Sequence, residues 1–286
     1  MTEPSADAAS PDATMVRVPH DGLVFDVAVA GPDDGPAVLL LHGFPQDHTC
    51  WDLVVGDLHA RGLRTIAPDL RGYSPDARPD DPAAYRTSEM VGDAVAILDH
   101  LDVATAHVVG HDWGGVVAWA TAMGVPERVD TLTVLSTPHP AALAKAMRTS
   151  TQGLRSWYFL LFRSRIAERL VLPRLRGLLM SSGMPRSSAM RAGERMDQPG
   201  AFSAALNYYR GMDTSLFARA SDVTVPTTLA WGTDDPFFGR AAALGTAGHV
   251  AADYRLVAVH GDHWLPETEP EAVTRILRDR VSTPHP

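Results

Sequence analysis

The chain has 286 residues, 45% hydrophobic and 21% charged, which suits a globular protein with a sizeable core, built as two small domains or one larger α/β unit. Acids outnumber Lys and Arg by 34 to 25, so no nucleic-acid footprint is expected, and the overall charge offers no attraction to an anionic membrane. The single cysteine, Cys50, excludes an intramolecular disulfide, no apolar run is long enough to span a bilayer, and the first residues do not read as a signal peptide, so a cytoplasmic setting is expected.

Residues 1–15, small, acidic and proline-containing, read as a disordered leader. Val16 to Val18 and Leu23 to Val29 then alternate as two strands joined by a turn over Pro19 to Gly22. Ala37 to Leu41 is a continuous apolar run, as expected of a strand buried on both faces. Further short runs follow at Arg64 to Ala67, His107 to Val109, Leu132 to Leu135, Thr227 to Trp231 and Arg255 to Val259. Helical patterns lie between them at Trp51 to Arg61, Glu89 to Leu101 and Gly115 to Gly124, and after the last at Glu269 to Arg280. Strand alternating with helix predicts an α/β fold with a mostly parallel central sheet flanked by helices. The alternation breaks over 138–220, where aromatics and arginines suggest a helical insert lying over the sheet edge, with a separate small helical domain as the alternative. The expected division is a core of 16–137 and 221–286 with a helical cap at 138–220.

The most specific chemical signal is Gly110-His111-Asp112-Trp113-Gly114-Gly115, between a predicted strand and a predicted helix. Small residues two before and two after a central side chain allow a tight strand-to-helix elbow that holds that side chain out at the sheet edge. Here the central residue is Asp112, with a helix-capping aspartate as the plainer alternative. The N–H of Trp113 at the helix start would face charge on Asp112. His42-Gly43-Phe44-Pro45 ends the apolar strand, the position from which such elbows take a second oxyanion donor, here the N–H of Phe44. Pro45 is a candidate for a cis bond, and His42 itself reads equally well as a buried turn residue. After later strands come Trp231-Gly232-Thr233-Asp234-Asp235, where two carboxylates compete to orient a histidine, and His260-Gly261-Asp262-His263-Trp264. Nucleophile, acid and base thus fall in the chain order of hydrolases with this elbow.

On these motifs (HGFP, GHDWGG, WGTDD and HW) the chain from about Val16 to Val281 resembles the α/β-hydrolase superfamily, in its epoxide hydrolase and haloalkane dehalogenase branch. The resemblance implies a helical cap on an α/β-hydrolase core. It prefers Asp235, three residues after Gly232, over Asp234, and His263, which precedes an aromatic, over His260. Some relatives carry the acid after an earlier strand, but Leu135-Ser136-Thr137-Pro138 offers no carboxylate there. Asp69 to Pro75 resembles the family's D-x-R-G-Y-G loop with Ser74 in place of a glycine, and is expected to brace the site edge.

An aspartate nucleophile changes the chemistry. Attack on an ester or amide would give a strained anhydride, whereas attack on a saturated carbon bearing a leaving group gives an ordinary ester. Asp112 therefore points to epoxides or alkyl halides, with the ester hydrolysed by water that His263 activates, and no metal or organic cofactor is required. Opening an epoxide also needs a proton donor for the alkoxide, a task that suits a phenol. By resemblance the donors are Tyr158, in WYFLLFR, and Tyr209, in NYYR, although both read equally as packing aromatics; Tyr208 is expected to pack inside the cap. Phe159, Phe162, Leu179, Met180 and Phe237 are candidates for an apolar pocket, with Phe44, Trp113 and Trp157 as substrate contacts. The expected partners are water and a small apolar epoxide. A haloalkane is the alternative substrate, since Trp157 offers an indole for a halide, and a noncatalytic binding protein on the same fold is a third reading. Oligomeric state is open, a homodimer being compatible.

Overall fold

The computed structural model describes residues 13–212 and 220–282. Eight strands form one sheet: β1 (Thr14–His20), β2 (Leu23–Ala30), β3 (Ala37–Leu41), β4 (Arg64–Pro68), β5 (Ala106–His111), β6 (Val129–Leu135), β7 (Thr227–Gly232) and β8 (Tyr254–Val259). Their spatial order is β1-β2-β4-β3-β5-β6-β7-β8, antiparallel over the first three and parallel from β4 onward. Thr14 and Met15, expected in the leader, instead pair with Val29 and Ala28 in β1, because ladder hydrogen bonds are open to any extended backbone whatever its side chains. Ala13 is described and exposed, and residues 1–12 of the expected leader lie outside the described residues. Pro19 and His20 also belong to the strand, and the turn tightens to Asp21 and Gly22, with φ of 48° and 78°.

Alternation along β3 sends its side chains to two different cores. Leu39 and Leu41 join the apolar cluster under α2 (Thr87–His100) and α3 (Trp113–Gly124), with Ile97, Val117 and Trp119. Val38 and Leu40 join the opposite cluster under α1 (Asp52–Ala60) and the closing helix Pro270–Val281, with Val54, Leu58 and Leu277. The expected buried strand is thus buried on both faces, each Leu contributing about 1.5–3 kcal/mol. The closing helix shows why it is a helix: Val273, Ile276 and Leu277 recur on one buried face.

Over 140–211, between β6 and β7, the chain is mainly helical: α4 (Pro140–Thr149), α5 (Gln152–Arg155), α6 (Tyr158–Arg163), α7 (Ala167–Val171), α8 (Leu175–Ser181), α9 (Arg186–Met196) and α10 (Ala201–Gly211). Many of its apolar residues, including Leu175, Leu179 and Phe202, belong to the same cluster as Phe44 and Trp113 at the sheet edge, whereas Leu143 and Ala146 of α4 pack separately with Phe238 and Ala242. Polar contacts tie it down at separate points. Arg195 on α9 bonds Asp47 and Asp69 at 2.6 and 2.8 Å. Gln152 on α5 donates to the Phe237 carbonyl and accepts from the Gly239 N–H. Tyr208, expected to pack within this segment, instead donates to the Arg71 carbonyl at 2.8 Å and meets the rings of Tyr73 and Tyr85. A buried phenol must satisfy its hydroxyl, and the loop after β4 presents the acceptor. That loop is braced as expected: Arg71 forks onto Asp93 at 2.6 and 2.8 Å, and the Ser74 hydroxyl bonds the Asp69 carbonyl.

Candidate active site

The loops after β3, β5, β7 and β8 meet at one edge of the sheet, beside the point where strand order reverses between β3 and β5. Asp112 leaves β5 with φ 50° and ψ −117°, a strained conformation for a side-chain-bearing residue, and α3 starts at the next residue. Its neighbours must be small. A Cβ on Gly114 would lie 2.1 Å from the Leu41 carbonyl oxygen, and one on Gly43 would lie 2.4 Å from the Asp112 Cβ. The tight approach of the β3 loop aims the Phe44 N–H at Asp112 Oδ1, at 2.8 Å, and the Phe44–Pro45 bond is cis.

The other carboxylate oxygen, Oδ2, faces His263 Nε2 at 3.4 Å. His263 Nδ1 meets Asp235 Oδ2 at 2.9 Å. Asp235 Oδ1 is taken by the N–H groups of Phe237 and Phe238, at 2.7 and 3.0 Å. The acid is thus fixed from both ends, and the histidine has one ring nitrogen on each carboxylate. Asp234, the competing acid, points elsewhere: it meets His260 at 3.3 Å, with both side chains exposed.

Electrostatics follow from this geometry. Burial opposes charge on His263, but the Asp235 carboxylate and the hydrogen bonds to Asp112 and Asp235 outweigh it and raise His263 to about 10. Burial likewise opposes charge on Asp112, yet His263 and the Phe44 N–H hold its carboxyl below the ordinary range. The resting pair at neutral pH is therefore carboxylate and imidazolium.

Above Asp112 lies a cavity of 340 Å³ whose lining includes Phe44, Tyr158, Phe162, Leu179, Tyr209 and Phe237. Tyr158 and Tyr209 stand with ring centroids 6.3 Å apart, and Tyr209 packs edge-on against Phe44 and Trp113 at 5.5 and 5.0 Å. Burial first, then the negative charge of Asp112, pushes both phenols well above their usual range, so both keep their protons. Trp157 stands at the cavity mouth, 64% exposed. Phe159 packs against Trp113 and Tyr209 and lines a second, smaller cavity that also touches Asp112 and Tyr158. One expected pocket residue is elsewhere: Met180 is exposed and outside both linings.

Some supporting residues carry no local mark in the sequence. The His263 carbonyl accepts from Ser136 Oγ and is met by His111 Nε2, both at 2.8 Å, across separations of 127 and 152 residues. Arg155 on α5 donates to the Asp235 carbonyl at 2.9 Å. His42 is buried, with Nε2 accepting from the Leu70 N–H, and serves the turn. Asp47, His48 and Asp69 cluster closely enough to hold a cation, but the Arg195 guanidinium supplies one there.

Comparison with known proteins agrees with this architecture. A model of the alpha/beta hydrolase fold family matches residues 36–270, and the chain belongs to that family. It is 33% identical over 272 residues to the AB hydrolase superfamily protein YfhM of Bacillus subtilis, across 90% of this chain and 94% of that protein. It is 32% identical over 278 residues to epoxide hydrolase 4 of Mus musculus, across 92% of this chain and 77% of that protein. A solved structure from a study of epoxide hydrolases in hot-environment metagenomes matches with a TM-score of 0.83 and 28% identity, over 96% of this chain and 99% of that one. Within the family, this chain is a hydrolytic enzyme similar to epoxide hydrolases.

Proposed function

We propose that the protein opens an epoxide to a vicinal diol through a covalent ester on Asp112, with residues 138–220 acting as the cap that closes the site. The observation that carries this reading is an elbow aspartate sharing one apolar cavity with two protonated phenols, Tyr158 and Tyr209. A carboxylate alone suits any saturated electrophile; the phenols suit an alkoxide leaving group.

In the first step Asp112 Oδ2 attacks an epoxide carbon and the carbon–oxygen bond of the ring breaks. Tyr158 and Tyr209 bind the developing alkoxide and supply its proton. Esterification removes one of the two carboxylate charges beside His263, that of Asp112. Its loss lowers the imidazolium pKa, and the proton passes to the phenolate left by the first step, restoring the phenols. Neutral His263, oriented by Asp235, then takes a proton from water, and the hydroxide attacks the Asp112 carboxyl carbon. The tetrahedral oxyanion forms at Oδ1, where the Phe44 N–H already points, with the Trp113 N–H as second donor. Each such donor is worth about 3–4 kcal/mol. Collapse breaks the bond to the alkyl oxygen, which takes its proton from His263, and the diol leaves.

The test is intact mass of the His263→Gln protein after exposure to small epoxides and to 1-haloalkanes. An epoxide adduct equal to the whole substrate, mapped to Asp112 and absent from Asp112→Asn, is the expected result. A haloalkane-only adduct, heavier by substrate minus HX, would make the protein a dehalogenase and reduce Tyr158 and Tyr209 to packing. Absence of any adduct, together with no turnover by wild type, would point to a binding protein.

A further inference from the structure

Residues 140–182 differ from the rest of the chain in charge and in surface. They carry eight basic side chains, Lys145, Arg148, Arg155, Arg163, Arg165, Arg169, Arg174 and Arg176, and one acid, Glu168. The remainder carries 17 basic and 33 acidic residues. Glu168 is itself bound by Arg210 of α10 at 2.8 Å, so it neutralises none of the eight. Seven of the eight are exposed, the exception being Arg176. Large apolar side chains stand out among them: Leu154 is 76% exposed, Trp157 64%, Leu160 80% and Ile166 56%. Leu154, Trp157 and Leu160 recur every third residue, and Trp157 and Leu178 are at once exposed and part of the cavity lining. Arg155 also lines the cavity, so this surface reaches the mouth over Asp112.

We propose that this surface docks on an anionic lipid bilayer, with Trp157, Leu160 and Ile166 entering the boundary between headgroups and acyl chains and the arginines meeting lipid phosphates. Exposed indole and leucine among arginines match the two components of interfacial binding, apolar burial and attraction to anionic headgroups. A second copy of the same surface is disfavoured as occupant, because it would set one basic cluster against another. An acidic chain total conceals the patch, since the excess acids lie outside these residues. Docking in this way turns the cavity mouth toward the phase in which an apolar substrate dissolves; that consequence rests on the proposed function, whereas the docking does not.

The test is flotation of the full chain with vesicles of phosphatidylglycerol and phosphatidylcholine, against vesicles of phosphatidylcholine alone, at low and high salt. Expected are binding to the anionic vesicles, loss at high salt, and a blue shift in tryptophan emission. Arg163→Gln/Arg165→Gln/Arg169→Gln and Leu160→Ser/Ile166→Ser should each weaken binding about tenfold or more. Circular dichroism and melting establish that these proteins are folded. Asp112→Asn should float like wild type, which separates this test from that of the chemistry. No flotation with anionic vesicles overturns the proposal, as does binding insensitive to vesicle charge or to both sets of substitutions. Self-association lost in Leu160→Ser/Ile166→Ser, without vesicle binding, overturns it in favour of a second copy. Capture of a polyanionic protein with no vesicle binding overturns it in favour of a protein partner.

Discussion

The loops after β7 and β8 carry two aspartate–histidine pairs built from neighbouring residues, and they live in opposite environments. Asp234 and His260 stand 3.3 Å apart with side chains 64% and 95% exposed. Asp235 and His263 stand 2.9 Å apart with side chains 0% and 2% exposed. Residue types do not distinguish the pairs. Water does: the outer pair is screened and free to move, whereas each polar atom of the inner pair has an assigned partner under the helices between β6 and β7. A dyad becomes an oriented base only when burial and hydrogen bonds hold it in one geometry.

The sharpest way to break this contrast is to neutralise each aspartate in turn. Asp235→Asn should lower kcat by about 10³–10⁴, because His263 loses the acceptor that fixes its tautomer and its charged form. Asp234→Asn should stay within about twofold. Steady-state turnover of both proteins on one epoxide checks this, and equal losses would mean that the exposed pair also serves the reaction.

A smaller effect is expected across the cavity. Tyr158→Phe and Tyr209→Phe should each cost about 10²-fold in the rate of alkylation while leaving hydrolysis of a preformed Asp112 ester nearly unchanged. Rapid-mixing kinetics that follow quenching of the tryptophans beside Asp112 separate the two steps. Loss confined to the second step would remove the phenols from the first.

The smallest effect is on stability. His263 is raised to about 10 in the folded protein against 6.5 for the free side chain. Its charged form therefore stabilises the fold fully below the free value, and that stabilisation is lost as pH rises toward and through the folded value. Calorimetric Tm should fall on the alkaline side of neutrality. Asp112→Asn removes a carboxylate that raises the His263 pKa, so its imidazole should titrate lower and its Tm should vary less over the same range. Identical alkaline profiles for the two proteins would contradict this assignment of charge.

Much of the fold is legible because its demands are local. Ala37 to Leu41 is apolar throughout and proves to be β3 with those same bounds. Gly110 and Gly114 flank Asp112 because the elbow leaves no room for a Cβ beside it, and that spacing is visible without coordinates. Less local matters are hidden. Tyr208 and Tyr209 are adjacent in sequence, yet one anchors to the Arg71 carbonyl and the other faces the cavity, since successive residues of α10 point about 100° apart and meet different neighbours. Ser136, just after β6, and His111, at the end of β5, hold the His263 carbonyl from positions distant in sequence, and no motif announces that task.

By itself, then, the sequence determined the strand–helix alternation, the elbow around Asp112, and the order in which the candidate nucleophile, acid and base appear. These rest on side-chain periodicity, on glycine spacing and on turn geometry, all set within a few residues. Only the tertiary structure decided that Phe44 meets Asp112 across 68 residues and that Asp235 rather than Asp234 is buried against His263. It also decided that Arg155 and the exposed Trp157, from the basic segment 140–182, line the cavity over Asp112. Those outcomes depend on which loops the folded sheet brings together and which side of each loop it hides from water, and neither is a property of any short stretch of chain.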